Sequence, residues 1–446
     1  MNPTVAERLA DFTSALTETD LPEAVAAKAR TCLLNGLGIA YVGLDTPYHP
    51  VAAAAARAMY GNAYDATLLP TGELSSVSGA ILTNGALFHG RAQEDTCGAA
   101  HLGAVVIPLL IALVESGRAP AERIIPALVA GYEAGGLFEE LLAGQTTPRG
   151  FRATTLFGVT AAAAASSRLL GLSAGQTAAA LNNAVSLSGG LLQSFVEGTD
   201  EWRYQVGTTA QLGWTATELA GAGSVSARAA FEGEKGLASA FAETSLDDKT
   251  IGEKLGRDWQ TLRVAFKPFP VCAFNQTPVT AALKLRDQVA PDRIKVVTVK
   301  MNPYECGYAG MDSTGPFTSI SGTLMSIPFC IALTLVRGTP TMRNMTTYDD
   351  PEVNALEKRI NLSADPEIPV LSCRIHVTLD DDTLLDLDCP MTPADYAYDF
   401  EEMARRLKVL ASDEGLDPSA IDRLASFCAD PDRVPLAQVF QVFHGG

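Results

Sequence analysis

A carboxylate, a hydroxyl and an imidazole occur together in the segment 94–101, which also contains one glycine. Asp95 supplies the carboxylate, Thr96 the hydroxyl and His101 the imidazole. The segment leads directly into an apolar stretch, 102–114, whose pattern predicts a buried helix. Side chains of these types transfer protons when they are held still and partly shielded from water. We therefore predict that this segment is the active-site loop.

The chain contains only five histidines, so few imidazoles can move a proton near neutral pH. His376 alternates with apolar residues in a strand pattern and is expected at the surface, and His444 lies next to the C-terminus. His49 falls in a predicted loop, and His89 follows an apolar helix, where we predict a structural role. His101 is the remaining candidate acid or base. Its alternative role is that of a helix N-terminal residue that bonds the loop backbone.

The composition argues against several classes of partner. Acidic residues outnumber basic ones by 51 to 33, and the net charge of −18 argues against nucleic acid and against an anionic membrane. An anionic substrate would need a local cluster of Arg and Lys. The longest apolar run, 103–114, contains Pro108 and is too short to span a bilayer, and the N-terminus lacks a signal pattern. We expect a cytoplasmic protein.

The cysteines are scattered and form no C-x-x-C pair. This spacing predicts no metal site, no iron-sulfur cluster and no disulfide framework. Most of the cysteines are expected to be small buried side chains. The eight cysteines occupy positions 32, 97, 272, 306, 330, 373, 389 and 428.

From Val5 to about Phe241, apolar residues recur at three- and four-residue spacing, and no segment has a convincing strand pattern. Glycine and proline separate the helical segments. The predicted helices are 21–42, 51–60, 77–88, 102–115, 121–142, 155–169, 174–187 and 208–220.

After about position 248 the pattern changes. Segment 294–301 alternates as a strand, and 370–379 is expected to pair with 384–389 across three aspartates. Further helices are predicted at 278–289, 325–336, 394–410 and 418–427.

These patterns predict a mainly α protein with an α+β second domain. A large all-helical domain would be formed by an N-terminal part, 1–250, and a C-terminal part, 393–446. A smaller α/β lid domain would span 251–392. The cleft between two such domains is a usual place for a small ligand.

A series of short motifs follows one another in a particular order. They are Asn84-Gly-Ala-Leu-Phe-His89, Glu94-Asp95-Thr96 with His101, Gly131-Tyr132-Glu133, Arg149-Gly150-Phe151, Thr155-Leu-Phe-Gly158, Leu170-Gly171-Leu172 and Phe266-Lys267-Pro268-Phe269-Pro270. Together they resemble the MmgE/PrpD family from about residue 5 to about residue 430. This family includes 2-methylcitrate dehydratase, cis-aconitate decarboxylase and iminodisuccinate epimerase. The resemblance implies a homodimer with a discontinuous helical domain, an α/β lid, and no metal or organic cofactor.

The reactions of this family share a proton transfer at a carbon beside a carboxylate. The resemblance places Asp95, Thr96, His101 and Lys267 around the catalytic cleft. In that arrangement Lys267 pairs with a substrate carboxylate, His101 moves the proton, and Asp95 fixes the imidazole or a substrate hydroxyl. The alternative for Asp95 is a turn or helix cap. A solvated role for Lys267 is disfavoured by its apolar and proline neighbours.

Two tyrosines follow the predicted strand 294–301, in the region from which the family can supply a tyrosine to the cleft. Either Tyr304 or Tyr308 could donate a proton there, and we assign Tyr308 to the catalytic set. Packing within the loop is the alternative for at least one of them.

The chain departs from the family pattern at several positions. Ala92 stands where dehydratase and decarboxylase members usually have Asp, Arg152 replaces a histidine, and Trp202 replaces a lysine. A further common histidine is replaced near Cys272. These changes predict a more apolar pocket, and a substrate with fewer carboxylates or a larger apolar group than 2-methylcitrate or cis-aconitate. The predicted substrate-binding residues are Cys97, Arg152, Trp202, Arg203, Gln205, Cys272 and Tyr304, with ordinary packing or surface roles as the alternative.

The resulting prediction is a cofactor-independent lyase that dehydrates or decarboxylates a small carboxylate, with His101 as acid or base. An isomerase or epimerase is the second hypothesis, because removal and return of a proton at one carbon needs fewer groups. A binding protein that has lost catalysis is the third, supported by the missing histidine and lysine positions.

Overall fold

The computed structural model describes residues 2–61 and 63–444 of the chain. Helices account for most of these residues, and the longer strands lie between positions 294 and 389. The predicted class, mainly α with an α+β second part, is confirmed. The N-terminal part also contains one short strand pair that the sequence pattern did not predict. These strands are β1 (Ala66–Thr67) and β2 (Leu74–Ser75), which pair in antiparallel orientation.

Helices run almost without interruption through the first half of the chain. They are α1 (Val5–Ala15), α2 (Glu23–Val42), α3 (Tyr48–Tyr60), α4 (Val77–Phe88), α5 (Leu102–Glu115), α6 (Ile124–Thr146), α7 (Ala153–Leu170), α8 (Ala174–Val185), α9 (Gln193–Glu197), α10 (Glu201–Gly221), α11 (Leu237–Ala242) and α12 (Asp248–Lys254). The bounds of α4 and α5 coincide with the predicted segments. His49 was expected in a loop, but it lies in the first turn of α3.

The second half mixes helices with a sheet. Its helices are α13 (Gln276–Arg286), α14 (Pro303–Cys306), α15 (Ile320–Met325), α16 (Ile327–Arg337), α17 (Met342–Met345), α18 (Pro351–Glu357), α19 (Phe400–Asp413), α20 (Ala420–Ala429) and α21 (Ala437–His444). Its strands are β3 (Ile294–Met301), β4 (Ile360–Ala364), β5 (Cys373–Leu379) and β6 (Leu384–Cys389).

Two predicted helices are interrupted where a side chain caps a new helix. Segment 325–336 is divided at Ser326, whose hydroxyl accepts the N–H of Phe329 at 3.0 Å and begins α16. Segment 394–410 is divided before α19, where Asp399 accepts the N–H of Glu402 at 2.8 Å. Capping side chains of this kind satisfy backbone donors that a helix leaves unpaired at its first turn.

The chain falls into two compact units. The first comprises Met1–Gly190, Arg203–Phe266 and Tyr398–Gly446, and the second comprises Leu191–Trp202 and Lys267–Ala397. The expected division was at positions 250 and 392. The boundary lies later because the segment before Lys267 is bonded to α6 of the first unit. Segment Leu191–Trp202, expected in the helical domain, belongs to the second unit.

The first unit packs around α6 and α7, whose residues are buried on nearly every face. Helices α19 and α20, from the C-terminal part of the chain, pack on α2. At this contact a Cβ atom on Gly38 would collide with Leu407. The C-terminal helices therefore complete the core of the N-terminal ones.

A close crossing of α4 and α10 fixes the start of the candidate loop. A Cβ on Gly85 would lie 2.9 Å from Cα of Gly207, and a Cβ on Gly207 would lie 2.8 Å from Cα of Leu82. Since real Cβ atoms do not approach backbone so closely, both positions need glycine at this separation. The crossing aligns the end of α4 with the part of α10 that follows Trp202.

The second unit is built on a four-stranded sheet in the order β4-β3-β5-β6. Strand β4, which the sequence pattern did not predict, runs parallel to β3, and the other neighbours are antiparallel. Alternate residues of β5 are buried, so one face of the strand is covered. Helix α13 packs on β5 and β6. Helices α13 and α16 also pack on each other.

Across the residues that the structure describes, no helix combines the length and the apolar character needed to cross a membrane.

Candidate active site

The candidate loop connects α4 to α5 within the first unit. Residues 89–97 are buried, whereas His101 is partly exposed. The N–H of His89 donates to the carbonyl of Gly85 at the end of α4, and α5 begins directly after His101. Because a buried loop has little access to water, its polar groups must find partners inside the protein.

A tight turn at Cys97–Ala100 reverses the loop. Cys97 N–H donates to the Ala100 carbonyl at 2.8 Å, and Ala100 N–H donates back at 3.2 Å. Gly98, between them, has a φ of +60°, which favours glycine. A side chain on Gly98 would collide with the carboxylate of Glu139 on α6, which accepts the N–H of Ala99 at 2.9 Å. Helix α6 therefore holds the tip of the turn.

A second segment is tied to both the loop and α6. The Glu133 carboxylate accepts the N–H of Gln260 at 3.0 Å, and the N–H and hydroxyl of Thr261 at 2.9 and 2.6 Å. Burial raises the pKa of Glu133 to about 7, although these hydrogen bonds oppose the shift. Thr96 and Ala265 exchange two backbone hydrogen bonds of 2.9 and 2.8 Å. Hydrogen bonds to the loop backbone thus help to hold it in place.

Glu94 lies between the two histidines at the ends of the loop. Its Oε2 is 3.2 Å from His89 Nδ1, and its Oε1 is 3.2 Å from His101 Nδ1. The imidazole ring centroids are 5.3 Å apart. One buried carboxylate therefore contacts both imidazoles.

The protonation of His89 follows from its neighbours. Arg152 Nη2 lies 2.6 Å from His89 Nε2, and a guanidinium can only donate. His89 Nε2 must then accept, which places the ring proton on Nδ1, the nitrogen that lies 3.2 Å from Glu94 Oε2. Arg152 therefore favours the neutral form of His89.

His101 has a different environment. Its Nδ1 faces two acceptors, Oε1 of Glu94 at 3.2 Å and the carbonyl of Asp95 at 3.0 Å. Because both groups accept, Nδ1 carries a proton, and Nε2 is the nitrogen that gains or loses one. The side chain of His101 is 16% exposed, whereas that of His89 is 1% exposed. Substrate can therefore reach His101 more readily than His89.

The Asp95 carboxylate points toward the start of α5. It accepts the hydroxyl of Tyr132 and, at 3.2 Å, the N–H of Gly103. A Cβ on Gly103 would lie 2.6 Å from this carboxylate, so glycine permits the approach. These contacts fit the helix-capping alternative, in which an anion lies at the positive end of a helix dipole. The carbonyl of Asp95, rather than its carboxylate, contacts the imidazole of His101.

Thr96 and Cys97 have local partners. The Thr96 hydroxyl donates to the carbonyl of Gly98. Cys97 is fully buried, its thiol donates to the carbonyl of Gln260 at 3.7 Å, and burial raises its pKa. Both side chains support the turn in the described geometry.

Three predicted substrate-binding residues lie just before α7 and within α10, and of these Arg152 and Arg203 are buried whereas Gln205 is half-buried. Arg152 donates to Gln205 Oε1 at 2.9 Å as well as to His89. Arg203 donates to the carbonyl of Gly90 at 3.3 Å, and its guanidinium lies 3.8 Å from the ring centroid of Tyr48. Arg152, Arg203 and Gln205 are therefore brought together with the loop.

Charged side chains of both signs are buried in this part of the first unit. Arg91, Arg152 and Arg203 are each at most 1% exposed. Glu94 and Asp95 are the buried acids of the loop, and Arg91 pairs with Glu414 at 2.8 Å. Arg152 and Arg203 instead donate to the neutral groups Gln205 Oε1 and the Gly90 carbonyl.

In the second unit, Trp202 belongs to a hydrogen-bonded chain. Its Nε1 donates to Ser321 Oγ at 3.1 Å, and that hydroxyl donates to Asp200 at 3.0 Å. The indole also packs on Phe195, with ring centroids 5.4 Å apart. The position where the family resemblance led us to expect lysine is therefore filled by a buried indole with a bonded N–H.

The other predicted residues of the second unit surround Phe274. The rings of Tyr304 and Tyr308 meet it edge-on, at centroid distances of 5.8 and 5.1 Å. Lys267 is largely buried, and its charge lowers the pKa of Cys272, although burial raises that pKa overall to about 11. These residues are brought together within their own unit.

No group of three or more His, Cys, Asp and Glu side chains within 2–61 and 63–444 is arranged to hold a metal ion.

Sequence reasoning did not assign roles in the site to Glu94 or Tyr132, and it gave His89 a structural role. Glu94 was visible as the first residue of the loop, and His89 and Tyr132 both lie in the motifs that carried the resemblance. The spacing between His89 and His101 gave no sign that one carboxylate reaches both.

Comparison with known families gives the assignment. Residues 7–248 match the model of the MmgE/PrpD N-terminal domain, and residues 269–394 match that of the MmgE/PrpD C-terminal domain. The chain belongs to the MmgE/PrpD family. The resemblance noted in the sequence is confirmed, and the two matched domains cover most of the chain.

Curated MmgE/PrpD relatives share low identity with the chain. The cis-aconitate decarboxylase-like protein oryM of Aspergillus oryzae is 28% identical over 308 residues, which cover 66% of this chain and 63% of that protein. The cis-aconitate decarboxylase of Aspergillus terreus is 24% identical over 389 residues, covering 81% and 79%. That of Homo sapiens is 25% identical over 398 residues, covering 85% and 82%. The chain therefore spans less than two thirds of the Aspergillus oryzae protein, and it is a divergent family member.

Proposed function

We propose that this chain is a lyase that acts on a small carboxylic acid without a cofactor, with His101 as the acid or base. The observation that carries this proposal is the environment of His101. Its Nδ1 faces Glu94 and the Asp95 carbonyl at 3.2 and 3.0 Å, so proton exchange runs through Nε2. A partly exposed imidazole with a fixed tautomer suits proton transfer near neutral pH.

The proposed chemistry needs one proton movement at a carbon beside a carboxylate. In a dehydration, neutral His101 removes that proton, the C–H electrons form the double bond, and the C–O bond breaks as the hydroxyl takes a proton from the imidazolium and leaves as water. In a decarboxylation, cationic His101 delivers a proton to the carbon from which carbon dioxide departs. In both cases the Glu94 carboxylate stabilises the cationic imidazole, because opposite charges a few ångströms apart attract strongly in a buried site.

Several relatives are cis-aconitate decarboxylases by name, which supports a lyase over other enzyme classes. The substrate proposed here differs from theirs. Trp202 is buried with its N–H bonded, and Arg152 is engaged by His89 and Gln205. We therefore propose a substrate with fewer carboxylates, or with a larger apolar group, than cis-aconitate.

An epimerase or isomerase is the second candidate. Arg152 favours neutral His89, so only one imidazole of the pair is placed to exchange a proton. Removal and return of a proton at a single carbon needs no more than that.

The deciding experiment is incubation of the full chain with a panel of small mono-, di- and tricarboxylates, including cis-aconitate, in deuterated water. A lyase produces a new product, seen by ultraviolet absorbance and proton NMR. An epimerase exchanges one proton for deuterium without a change in the carbon skeleton. Binding by calorimetry without either change would overturn the proposal in favour of a binding protein. The proposal would also be overturned if His101→Ala converted the same substrate to the lyase product as fast as the wild type.

We also propose that the protein acts as a homodimer. Large apolar side chains are exposed along α3 and the segment after it, namely Val51, Met59, Tyr64 and Leu74. Exposed apolar groups of this size favour association. A monomeric mass by light scattering at micromolar concentration would contradict this assignment.

A further inference from the structure

Two cysteines face each other across neighbouring strands of the second unit. Cys373 on β5 and Cys389 on β6 are register partners in the antiparallel ladder, and their thiols hydrogen bond to each other. Directly opposed residues in such a ladder have Cα atoms about 4.5 to 5.5 Å apart. A disulfide needs a Cα separation of about 4.4 to 6.8 Å, so the backbone already meets this requirement.

A cation lies beside one of the two thiols. Lys284 Nζ on α13 is 3.8 Å from Cys389 Sγ. The hydrogen bond from Cys373 lowers the pKa of Cys389, and the Lys284 charge lowers it further, whereas burial and Asp395 oppose the shift. The pKa of Cys373 is raised by the same hydrogen bond, by burial and by the charge of Glu305. One thiol is thus prepared to react as a thiolate and the other to remain protonated.

The position of the pair gives a small oxidant a short path. Both thiols are nearly buried, but Lys284, which contacts Cys389 Sγ, is exposed. Cys389 is also the last residue of β6, which lies at the edge of the sheet. The sulfur therefore lies one side chain below the surface at a strand end, where local opening is easiest.

We propose that Cys373, Cys389 and Lys284 form a peroxide-oxidisable dithiol site that converts to a cross-strand disulfide. The Cys389 thiolate attacks one oxygen of hydrogen peroxide, breaking the O–O bond and releasing hydroxide, which takes up a proton to give water. The resulting sulfenic acid is attacked by Cys373 sulfur. The S–S bond forms, the S–O bond breaks, and the thiol proton leaves with the hydroxyl as a second water. Two thiols are oxidised by two electrons, which reduce one peroxide.

The test is stoichiometric oxidation of the reduced full chain by hydrogen peroxide, followed by alkylation of remaining thiols and peptide mapping. We expect six alkylated cysteines of the eight free thiols, and one linked peptide pair that joins Cys373 to Cys389. A linked pair that joins Cys272 to Cys330 instead, or eight alkylated thiols at equimolar peroxide, would overturn the proposal. This measurement needs no variant and no enzymatic substrate, so its result is independent of the proposed activity.

Substitutions separate the roles of the three side chains. Cys373→Ser should leave Cys389 as a sulfenic acid that dimedone traps, because the second thiol is gone. Lys284→Gln should slow oxidation at pH 6 by about fivefold, because loss of the ammonium charge raises the pKa of Cys389 and lowers its thiolate fraction. The matched control is Lys295→Gln, since Lys295 is an exposed lysine on β3 that pairs with Asp382 at 2.7 Å. Equal oxidation rates for wild type and Lys284→Gln, or no dimedone adduct at Cys389, would count against the site.

Discussion

Glu94, in the loop before α5 of the first unit, and Glu305, in the short helix α14 of the second, are both buried carboxylates, and their partners differ. Each Glu94 oxygen lies 3.2 Å from an imidazole nitrogen. Glu305 Oε1 accepts the N–H of Leu371 at 2.9 Å, whereas its Oε2 has no hydrogen-bond partner within the part of the chain that the structure describes. Burial raises the pKa of Glu305 to about 7.

This contrast separates two uses of a buried acid. A carboxylate placed between two imidazoles stabilises positive charge on them and can influence proton transfer during turnover. A carboxylate that faces one amide in an apolar setting has no such partner, so its ionisation is linked mainly to folding stability. We therefore expect substitutions near Glu94 to change turnover and a substitution at Glu305 to change stability.

The largest effect is expected from His101→Ala. Removal of a positioned acid or base lowers kcat by about a hundred- to ten-thousand-fold. Steady-state kinetics with the substrate found in the carboxylate panel measures this loss, and circular dichroism checks the fold. The matched control is His376→Ala, because His376 is a strand residue that pairs with Asp386 at 2.6 Å in the second unit. Comparable kcat values for the two variants would contradict the role of His101.

Glu94→Gln should have the next largest effect. The amide oxygen can accept from one imidazole N–H, but the amide NH2 then faces the N–H of the other imidazole. Two donors facing each other cannot form a hydrogen bond. We expect kcat to fall about 10- to 100-fold, the rate equivalent of about 1.5 to 3 kcal/mol for a hydrogen bond to a charged group. The limb of the pH–rate profile that reports His101, acidic if it is the base and alkaline if it is the acid, should also move to lower pH, because the imidazolium loses its counter-charge. An unchanged profile would show that Glu94 serves only to hold the loop.

Much of the fold could be predicted from the sequence, because long apolar patterns determine elements such as α4, α5 and β3. The prediction missed β4 although its residues alternate between apolar and polar, because a run of only five residues is weak evidence for a strand. It also missed the division at Ser326, where a capping hydroxyl starts a new helix within the predicted segment 325–336. The extension of the first unit to Phe266 was not visible in the sequence. It depends on hydrogen bonds from Gln260 and Thr261 to Glu133, more than a hundred residues earlier.

The site was less accessible to sequence reasoning. The loop and His101 could be identified from residue types, because their spacing is local. The second imidazole contact of Glu94 depends on the turn at Gly98 and on the crossing of α4 with α10, which are three-dimensional. The pair Cys373 and Cys389 was within reach, since each lies eight residues from Asp381 at the centre of the predicted hairpin turn.

A smaller effect on turnover is expected from Arg152→Ala. Without the guanidinium, His89 Nε2 can accept a proton, and the positive charge on His89 competes with His101 for Glu94. We expect kcat to fall about tenfold, close to the about 1.5 kcal/mol of a charged hydrogen bond, with a smaller change in KM. If Arg152 instead binds a substrate carboxylate, as the sequence suggested, KM should rise while kcat changes little. Arg149→Ala is the matched control, because Arg149 is partly exposed and pairs with Glu243.

The smallest effect on turnover is expected from Glu305→Gln, whose main effect concerns stability. Burial raises the pKa of Glu305 from 4.5 to about 7 in the folded state. The group therefore contributes stability that is fully present below about pH 4.5 and is lost as pH rises through about 7. Glutamine keeps the oxygen that accepts Leu371 N–H and cannot ionise. Thermal unfolding between pH 5 and pH 8 should thus show a shallower fall in Tm for the variant, equivalent to at most about 3 kcal/mol.

Glu133→Gln gives the contrasting case, because burial also raises the pKa of Glu133 to about 7. Both oxygens of Glu133 accept backbone N–H groups, so an amide would set its NH2 against the N–H of Gln260 or Thr261. An unpaired buried donor costs about 1 to 3 kcal/mol at every pH. We therefore expect Glu133→Gln to lower Tm at both pH 5 and pH 8, whereas Glu305→Gln should approach or exceed wild type at pH 8. Parallel pH dependence of Tm in wild type and Glu305→Gln would show that Glu305 ionises in the folded protein as it does in the unfolded chain.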